Sequence, residues 1–478
     1  MVNLCVLVTL PFSCISDILS VQINVANSLC ANFRADNTSD NPGEEPDAKF
    51  KPDVTFYGLG RACPERPITS FQQMEMFVEF KRGSAPDPFR EESGGFPFQK
   101  SYDTTCALRG QMTLYATRMQ RYQFRTFVFS VGIFGHVARL FRWDRSGVVV
   151  SKPIMYSEEG NRELSEFFHR FDLANRTQRG WDPTVSDATP EQSAAFTKAI
   201  ETVVGAGENN LLESLLESVG DEAKYPRKNI YVFDPKSGKR ISYLVGRSTV
   251  SPESPTGRCT RGFVAMKTED NRLVFLKDTW RPDVSEMKPE SHWFSKLEEA
   301  TNVAAFSYGS DVEKAVLVEK VRATRSTKKM EEDMVRYQRT LTHTYAKGYC
   351  QITNMMGYIH YRTVQNELYV PLKMFKDSKH LAEVMNDVLL GTNLLLIFHL
   401  FTAHPSFNSN RRSLSEGDPS SRHQHQQHHD YHLGSGPSHR LRLGTGVELS
   451  RCTPDHAYSM LYPFHAMPSR FANQFLNE

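Results

Sequence analysis

The stretch Leu273–Pro282 reads LVFLKDTWRP and places one lysine, Lys277, inside a run of apolar residues. The branched and aromatic side chains of this run predict a β-strand. A strand that carries a single lysine is what a nucleotide-binding lobe uses to hold a cation against phosphate groups. A lysine that merely terminates a core strand explains this stretch equally well, so the interpretation depends on the flanking sequence.

The segments on either side of this strand favour the nucleotide-binding interpretation. Upstream, residues 257–262 (GRCTRG) form a loop whose glycines let the backbone approach phosphate oxygens and whose arginines add positive charge. The polar turn 268–271 then predicts a β-hairpin with the lysine strand. Downstream, residues 289–300 show apolar groups at helical spacing, and a glutamate there can pair with Lys277 as in protein kinases. This order of elements predicts the small lobe of a kinase.

Three segments carry a more specific resemblance: VFLKDTWRP, GRCTRG and, further upstream, RTFVFSVGIFGHVARLFRWDRSGVVVS. They resemble the fungal-type protein kinases of the basidiomycete type, and the resemblance covers residues 52–391. It implies ATP-dependent phosphorylation of serine or threonine in a protein substrate, with ATP and Mg²⁺ as cofactors. By this resemblance Lys277 is the ATP-phosphate lysine and Glu290 is its ion-pair partner, with Glu298 as the second choice. The loop that covers the phosphates is assigned to Gly257, Arg258, Arg261 and Gly262.

Two segments that the resemblance calls for are missing from the sequence. A kinase uses one aspartate to position the substrate hydroxyl and a second to hold Mg²⁺. In this family they resemble an HRD-IS…N segment and a later DxD or DWD segment, and neither occurs after Gly391. Residues 422–429 (RHQHQQHH) occur there instead, and they predict either a disordered tail or a metal-binding histidine cluster. The kinase part is therefore predicted to be catalytically incomplete, which leaves a pseudokinase or interaction protein as an alternative.

A shifted reading frame offers a third interpretation of this tail. Residues 416–431 (EGDPSSRHQHQQHHDY) can be encoded by codons that, shifted by one nucleotide, read KATLHRDISTSNIMI. In the same shifted frame, residues 441–449 (LRLGTGVEL) can read SDWELAL, which resembles the metal-binding segment. We therefore hypothesise that a retained intron or frameshift begins near residues 391–392 and that residues 392–478 are translated out of frame.

The N-terminal third contains a second candidate site. Asp53 follows a proline at the start of a predicted strand, and Glu79 and Lys81 share one face at the end of another. This pattern resembles the PD-(D/E)xK nuclease fold, and Gln111 with Tyr115 resembles a Gln-x-x-x-Tyr element of its RecB-like branch. Asp53 and Glu79 could hold Mg²⁺, with Lys81 orienting water or stabilising phosphate charge. The alternatives are a solvated strand face and a nuclease-like fold without activity.

Composition sets limits on partners and compartment. The 478 residues have a formal net charge of +2, so no global basic field requires nucleic acid as a partner, which is possible only under the nuclease alternative. The eight cysteines include no CxxC pair and are expected to be free thiols of an intracellular protein, in the cytoplasm or the nucleus. No apolar run is long enough to span a membrane.

The predicted fold class is α+β. A kinase-like small lobe with an incomplete large lobe follows an α/β domain that resembles the PD-(D/E)xK nuclease fold. The predicted segments are a disordered lead (1–51), the nuclease-like domain (52–181), a helical connector (182–226), the kinase-like domain (227–391) and the low-complexity tail (392–478).

Overall fold

Two seven-stranded β-sheets and six helices are seen in the part of the chain that the computed structural model describes. That part comprises residues 29–42, 50–60, 64–65, 67–81, 87–90, 98–205, 215, 219–297, 303–314, 336–349, 355–368, 372, 375–402 and 464–467. Contacts divide the chain into two units, and both sheets belong to the first. The first unit comprises Met1–Glu298, Ala304–Met374 and Thr453–Glu478, and the second comprises Glu299–Val303 and Phe375–Cys452.

The first sheet has the strand order β1-β2-β3-β4-β5-β6-β14. Its strands are β1 (Phe33–Asn37), β2 (Val54–Gly58), β3 (Met74–Lys81), β4 (Phe127–Phe134), β5 (Val137–Asp144), β6 (Gly147–Ser151) and β14 (Phe464–Met467). Neighbours are antiparallel except for β3 with β4 and β6 with β14, which are parallel. A parallel pair needs a crossover connection, and between β3 and β4 the chain forms helix α1 (Asp103–Tyr122).

Helices cover both faces of the first sheet. Leu108, Met112, Tyr115 and Met119 recur at helical spacing along α1, and all four are buried against one face. On the other face lies helix α2 (Glu163–Leu173), whose Phe167, Phe168 and Phe171 join a second core cluster. The ring of Phe167 meets that of Phe129 on β4 at a centroid distance of 5.9 Å. These phenylalanines are therefore core residues.

The second sheet has the order β12-β13-β11-β10-β9-β8-β7, and its neighbouring strands are all antiparallel. Its strands are β7 (Val185–Asp187), β8 (Lys228–Asp234), β9 (Lys239–Val245), β10 (Arg261–Lys267), β11 (Leu273–Pro282), β12 (Phe306–Asp311) and β13 (Tyr358–Gln365). The predicted hairpin is present as β10 and β11, with Asn271 at φ +59° in its turn. Val274 and Leu276 of β11 are fully buried, whereas the alternate residues Phe275 and Lys277 are only half-buried.

The remaining helices are α3 (Pro190–Gly205), α4 (Glu290–Phe294), α5 (Thr342–Tyr349) and, in the second unit, α6 (Ser378–Thr402). Helix α3 occupies the region that was expected to be a helical connector, but the same region also supplies β7 to the second sheet. Helix α4 ends at Phe294, several residues before the end of the predicted helix. Among the described residues, no helix is long and apolar enough to cross a membrane.

The mixture of helices and sheets expected from the sequence is confirmed, and it is compatible with a kinase-like fold. The nuclease-like character of the first sheet, the incomplete large lobe and the five segment boundaries stay predictions. Residues 403–463, which contain the histidine-rich tract, lie outside the described residues, as do Glu298 and most of the expected disordered lead.

Candidate functional site

Lys277 and Glu290 form an ion pair on the half-buried face of the second sheet. The Nζ atom of Lys277 lies 2.8 Å from each carboxylate oxygen of Glu290. Glu290 is the first residue of α4, whose start is set by Pro289 in an extended conformation. The side chains of Lys277 and Glu290 are 21% and 28% exposed, so the ammonium group is partly accessible to a ligand. The pairing predicted from sequence is therefore present in the structure.

The loop before β10 lies beside this lysine. Gly262 is the cross-strand partner of Lys277, so the end of the loop reaches the lysine strand directly. The carbonyl oxygen of Arg258 accepts hydrogen bonds from Trp280 N at 2.8 Å and from Thr279 Oγ1 at 3.1 Å. Gly257 has a φ of +91°, and a Cβ there would meet no atom within 4 Å. A glycine suits this left-handed conformation, and it leaves the surface of the loop without a side chain next to the exposed Arg258.

Arg261 does not fit the phosphate-contacting role expected from sequence. It is buried inside the protein, where its Nη2 donates to Asp278 at 2.6 Å and its Nη1 donates to the carbonyl oxygen of Gln123 at 3.2 Å. The reason is strand alternation, because Arg261 and its cross-strand partner Asp278 point to the face opposite Lys277. Arg258, by contrast, is exposed at the loop.

A buried charge network lies directly behind the lysine. Asp278 also accepts from Nε of Arg362 at 2.8 Å and lies 2.6 Å from Nε2 of His360. Burial alone would raise the pKa of Asp278, but His360, Arg261 and Arg362 hold it well below its usual range. The network continues to Asp182, which accepts from Nη2 of Arg362 at 2.5 Å. The sequence does not predict this network, although the alternation in LVFLKDTW does place a charged residue, Asp278, on the core face of the strand.

The turn between β5 and β6 of the first sheet touches the loop. The amide of Gly257 donates to the carbonyl oxygen of Arg145 at 2.9 Å. In the same turn, Oδ2 of Asp144 accepts from the amides of Leu341 and Thr342 at 2.9 and 3.0 Å, just before and at the start of α5. The loop beside the lysine is therefore attached to the first sheet through Gly257, and the first turn of α5 is attached to it through Asp144.

The second candidate site lies where β2 and β3 of the first sheet meet α1. Lys81 Nζ lies 2.5 Å from Oε1 of Glu79, and Oδ2 of Asp53 accepts from the amide of Phe80 at 2.7 Å. Tyr115 donates to the carbonyl oxygen of Lys51 at 2.8 Å. The side-chain Nε2 of Gln111 donates a hydrogen bond of 2.6 Å to the hydroxyl oxygen of Tyr115. The residues predicted for this site therefore converge.

Both carboxyl groups of this second site have raised pKa values. Burial, followed by the neighbouring Asp53, raises the pKa of Glu79 to about 8, although Lys81 opposes the shift. Burial also raises the pKa of Asp53. Oε2 of Glu79 is buried and has no hydrogen-bond partner among the described residues. A divalent cation would satisfy this oxygen and favour the ionised carboxylates. The described residues include no group of three or more histidine, cysteine or acidic residues arranged to hold a metal, so this pair would need water or substrate oxygens as further ligands.

Comparison with known protein families gives a match over more than half of the chain. A sequence profile of the family described as fungal protein kinase matches residues 99–399, more than half of the chain. The match begins just before α1, so it includes Gln111 and Tyr115 as well as the lysine site, but neither Asp53 nor Glu79. No curated protein and no solved structure matches the chain.

Proposed function

This chain belongs to the fungal protein kinase family, and on that premise we propose that its lysine site binds the phosphates of ATP. The activity of the parent family would be phosphoryl transfer from ATP·Mg²⁺ to a serine or threonine hydroxyl of a protein. The observation that supports this proposal is the Lys277–Glu290 ion pair beside a glycine-containing loop.

In this proposal each residue has a distinct task. Lys277 donates to phosphate oxygens, and Glu290 holds the ammonium group in place while leaving part of it exposed. The exposed side chain of Arg258 approaches the phosphates from the loop, whose position is set by the hydrogen bond from Gly257 to Arg145. Mg²⁺ would neutralise phosphate charge when bound. The aspartates that the family resemblance assigns to metal and to substrate are missing after Gly391, so we propose that this chain binds nucleotide weakly and is catalytically incomplete.

Calorimetric titration of the full chain with ATP and Mg²⁺ tests the proposal. We expect weak binding that Lys277→Met abolishes and that Glu290→Gln weakens by about tenfold, as expected for a charge-assisted contact. Lys236→Met is the matched control, since Lys236 is exposed in the turn between β8 and β9. Equal binding by the wild type and Lys277→Met would contradict the nucleotide role. Phosphate transfer to a protein substrate should be undetectable for all of these variants.

A second candidate function is metal-dependent hydrolysis of nucleic acid by the first sheet. The supporting observation is the convergence of Asp53, Glu79 and Lys81, with a buried carboxylate oxygen that lacks a partner. Asp53 and Glu79 would hold Mg²⁺, and Lys81 would stabilise charge on a phosphodiester.

Cleavage of single- and double-stranded DNA in the presence of Mg²⁺ or Mn²⁺ tests this second function. We expect Glu79→Gln and Lys81→Met each to reduce cleavage by a hundredfold or more, on the order of the loss of a group that stabilises transition-state charge. Lys277→Met serves as the control and should leave cleavage unchanged, because it lies in the other sheet. Cleavage that survives Glu79→Gln, or that needs no divalent cation, would rule the function out for this site.

A further inference from the structure

Helix α4 carries Glu290 and is attached to the second sheet at both of its ends. At its start, the amide of Ser291 donates a hydrogen bond of 3.0 Å to the hydroxyl oxygen of Tyr361 on β13. At its end, the ring of Phe294 stacks on that of Phe306 on β12, with a centroid distance of 4.5 Å. The first amides of a helix have no acceptor within the helix, so Tyr361 supplies one to the residue that follows Glu290.

The position of the Tyr361 hydroxyl is defined by its surroundings. The side chain of Tyr361 is 2% exposed, and β12 passes beside it with Gly309. A Cβ at position 309 would lie 2.5 Å from the hydroxyl oxygen, so any larger residue there would displace it. Burial also raises the pKa of Tyr361, which keeps the hydroxyl neutral. The hydroxyl therefore packs between Gly309 of β12 and the start of α4.

We propose that Tyr361 is a positioning residue whose hydroxyl holds the Glu290 end of α4 against the sheet and so maintains the Lys277–Glu290 ion pair. The role in nucleotide binding rests on the function proposed above. The physical reason is the length of α4, which spans five residues, too few for a helix to be stable without tertiary contacts. The Phe294 contact holds the far end only, so Glu290 depends on the hydrogen bond one residue away.

The test measures the acylation rate of Lys277 in the full chain with an amine-reactive ester, relative to that of Lys236 in the same molecule. A lysine held by a carboxylate reacts slowly, so Tyr361→Phe should raise the Lys277 rate about fivefold, which corresponds to the loss of one neutral hydrogen bond. Hydrogen exchange of residues 290–294 should accelerate in parallel. Tyr358→Phe, at the start of β13, is the control.

Each outcome decides the proposal. An unchanged Lys277 rate in Tyr361→Phe would overturn it, as would an equal acceleration at every lysine, which would indicate general destabilisation. ATP titration of the wild type distinguishes this idea from the function on which it rests. If the wild type binds no ATP and Tyr361→Phe still raises the acylation rate of Lys277, the positioning role stands and the nucleotide function fails.

Discussion

The amide of Gly257 donates a hydrogen bond of 2.9 Å to the carbonyl oxygen of Arg145, which attaches the loop beside Lys277 to a turn of the first sheet. The neighbouring residue Asp144 binds the backbone at Leu341 and Thr342. The first sheet thus holds both the loop before β10 and the start of α5. Through Gly257 it supports the loop of the lysine site.

We predict that Asp144→Ala lowers the free energy of unfolding by about 3–5 kcal/mol, because it removes a buried carboxylate that is paired with Arg142 and that accepts hydrogen bonds from three backbone amides. Urea unfolding measures this loss, and hydrogen exchange of residues 254–259 should accelerate as the turn loosens. Asp270→Ala is the control, since Asp270 is exposed in the turn between β10 and β11 and should cost less than about 1 kcal/mol. A similar loss in both variants would contradict a supporting role for the turn.

Asp278→Asn should destabilise the protein by about 3–5 kcal/mol at neutral pH, because it leaves Arg261 and Arg362 buried without their shared carboxylate. The lowered pKa of Asp278 means that its contribution is present above the pKa of the unfolded chain, about 3.8, and is lost as pH falls further. The wild type should therefore lose stability steeply below pH 4, and Asp278→Asn should show a smaller loss there. Urea midpoints between pH 2.5 and 7 measure both effects; parallel curves would refute the prediction.

Gly262→Ala and Gly257→Ala should have different effects. A Cβ at position 262 would lie 2.7 Å from the ring of Phe275, so we expect a stability loss of about 1–3 kcal/mol from overpacking. A Cβ at position 257 meets nothing, but the φ of +91° makes alanine strained by about 1–2 kcal/mol. Gly238→Ala, in an open turn with φ +68°, controls for backbone strain alone. Because it strains the backbone beside the exposed Arg258, Gly257→Ala should also weaken ATP binding by the folded protein, which titration would show.

Glu79 should make stability fall as pH rises. Its pKa is raised from 4.5 to about 8, mainly by burial, so between these values the folded protein keeps a proton that the unfolded chain releases. Stability should therefore decrease by on the order of 1 kcal/mol per pH unit over this window. In Glu79→Gln the side chain is neutral at every pH, so this variant should lose most of the dependence of stability on pH. Glu166→Gln, on the exposed side of α2, should keep it. Urea midpoints at pH 5, 6.5 and 8 measure the slope, and an unchanged slope in Glu79→Gln would disprove this account.

The shifted-frame hypothesis predicts what the transcript contains. Across the codons for residues 387–478, a spliced or corrected message should encode the HRD-like and DWE-like segments in the other frame. A chain rebuilt from that message should bind ATP and transfer phosphate, with Lys277→Met as the inactive control. If the DNA lacks those codons in every frame, the tail is as written and attention moves to Asp53, Glu79 and Lys81.

Local patterns in the sequence predicted one strand pairing correctly. The alternation in LVFLKDTW and the polar turn before it predicted the β10–β11 hairpin, because strand period and turn chemistry depend on near neighbours. The structure also brings Glu290 to Lys277, at the helix start that Pro289 sets. Where only near neighbours matter, the sequence was sufficient.

Contacts between residues far apart in sequence were decided by the tertiary structure alone. The sequence indicated that Arg261 binds phosphate, but its strand register turns it inward to Asp278. Because Asp278 is buried, its carboxylate also needs His360 and Arg362 as partners. The hydrogen bonds of Tyr361 to Ser291 and of Gly257 to Arg145 join segments 70 or more residues apart, and no periodicity reports them. The sequence by itself determined the β10–β11 hairpin, its turn and the candidate residues, whereas β1 lies in the expected disordered lead and β7 in the expected helical connector. Which of those residues meet was decided by the packing of the two sheets, because a buried charge or amide is stable only where the fold supplies its partner.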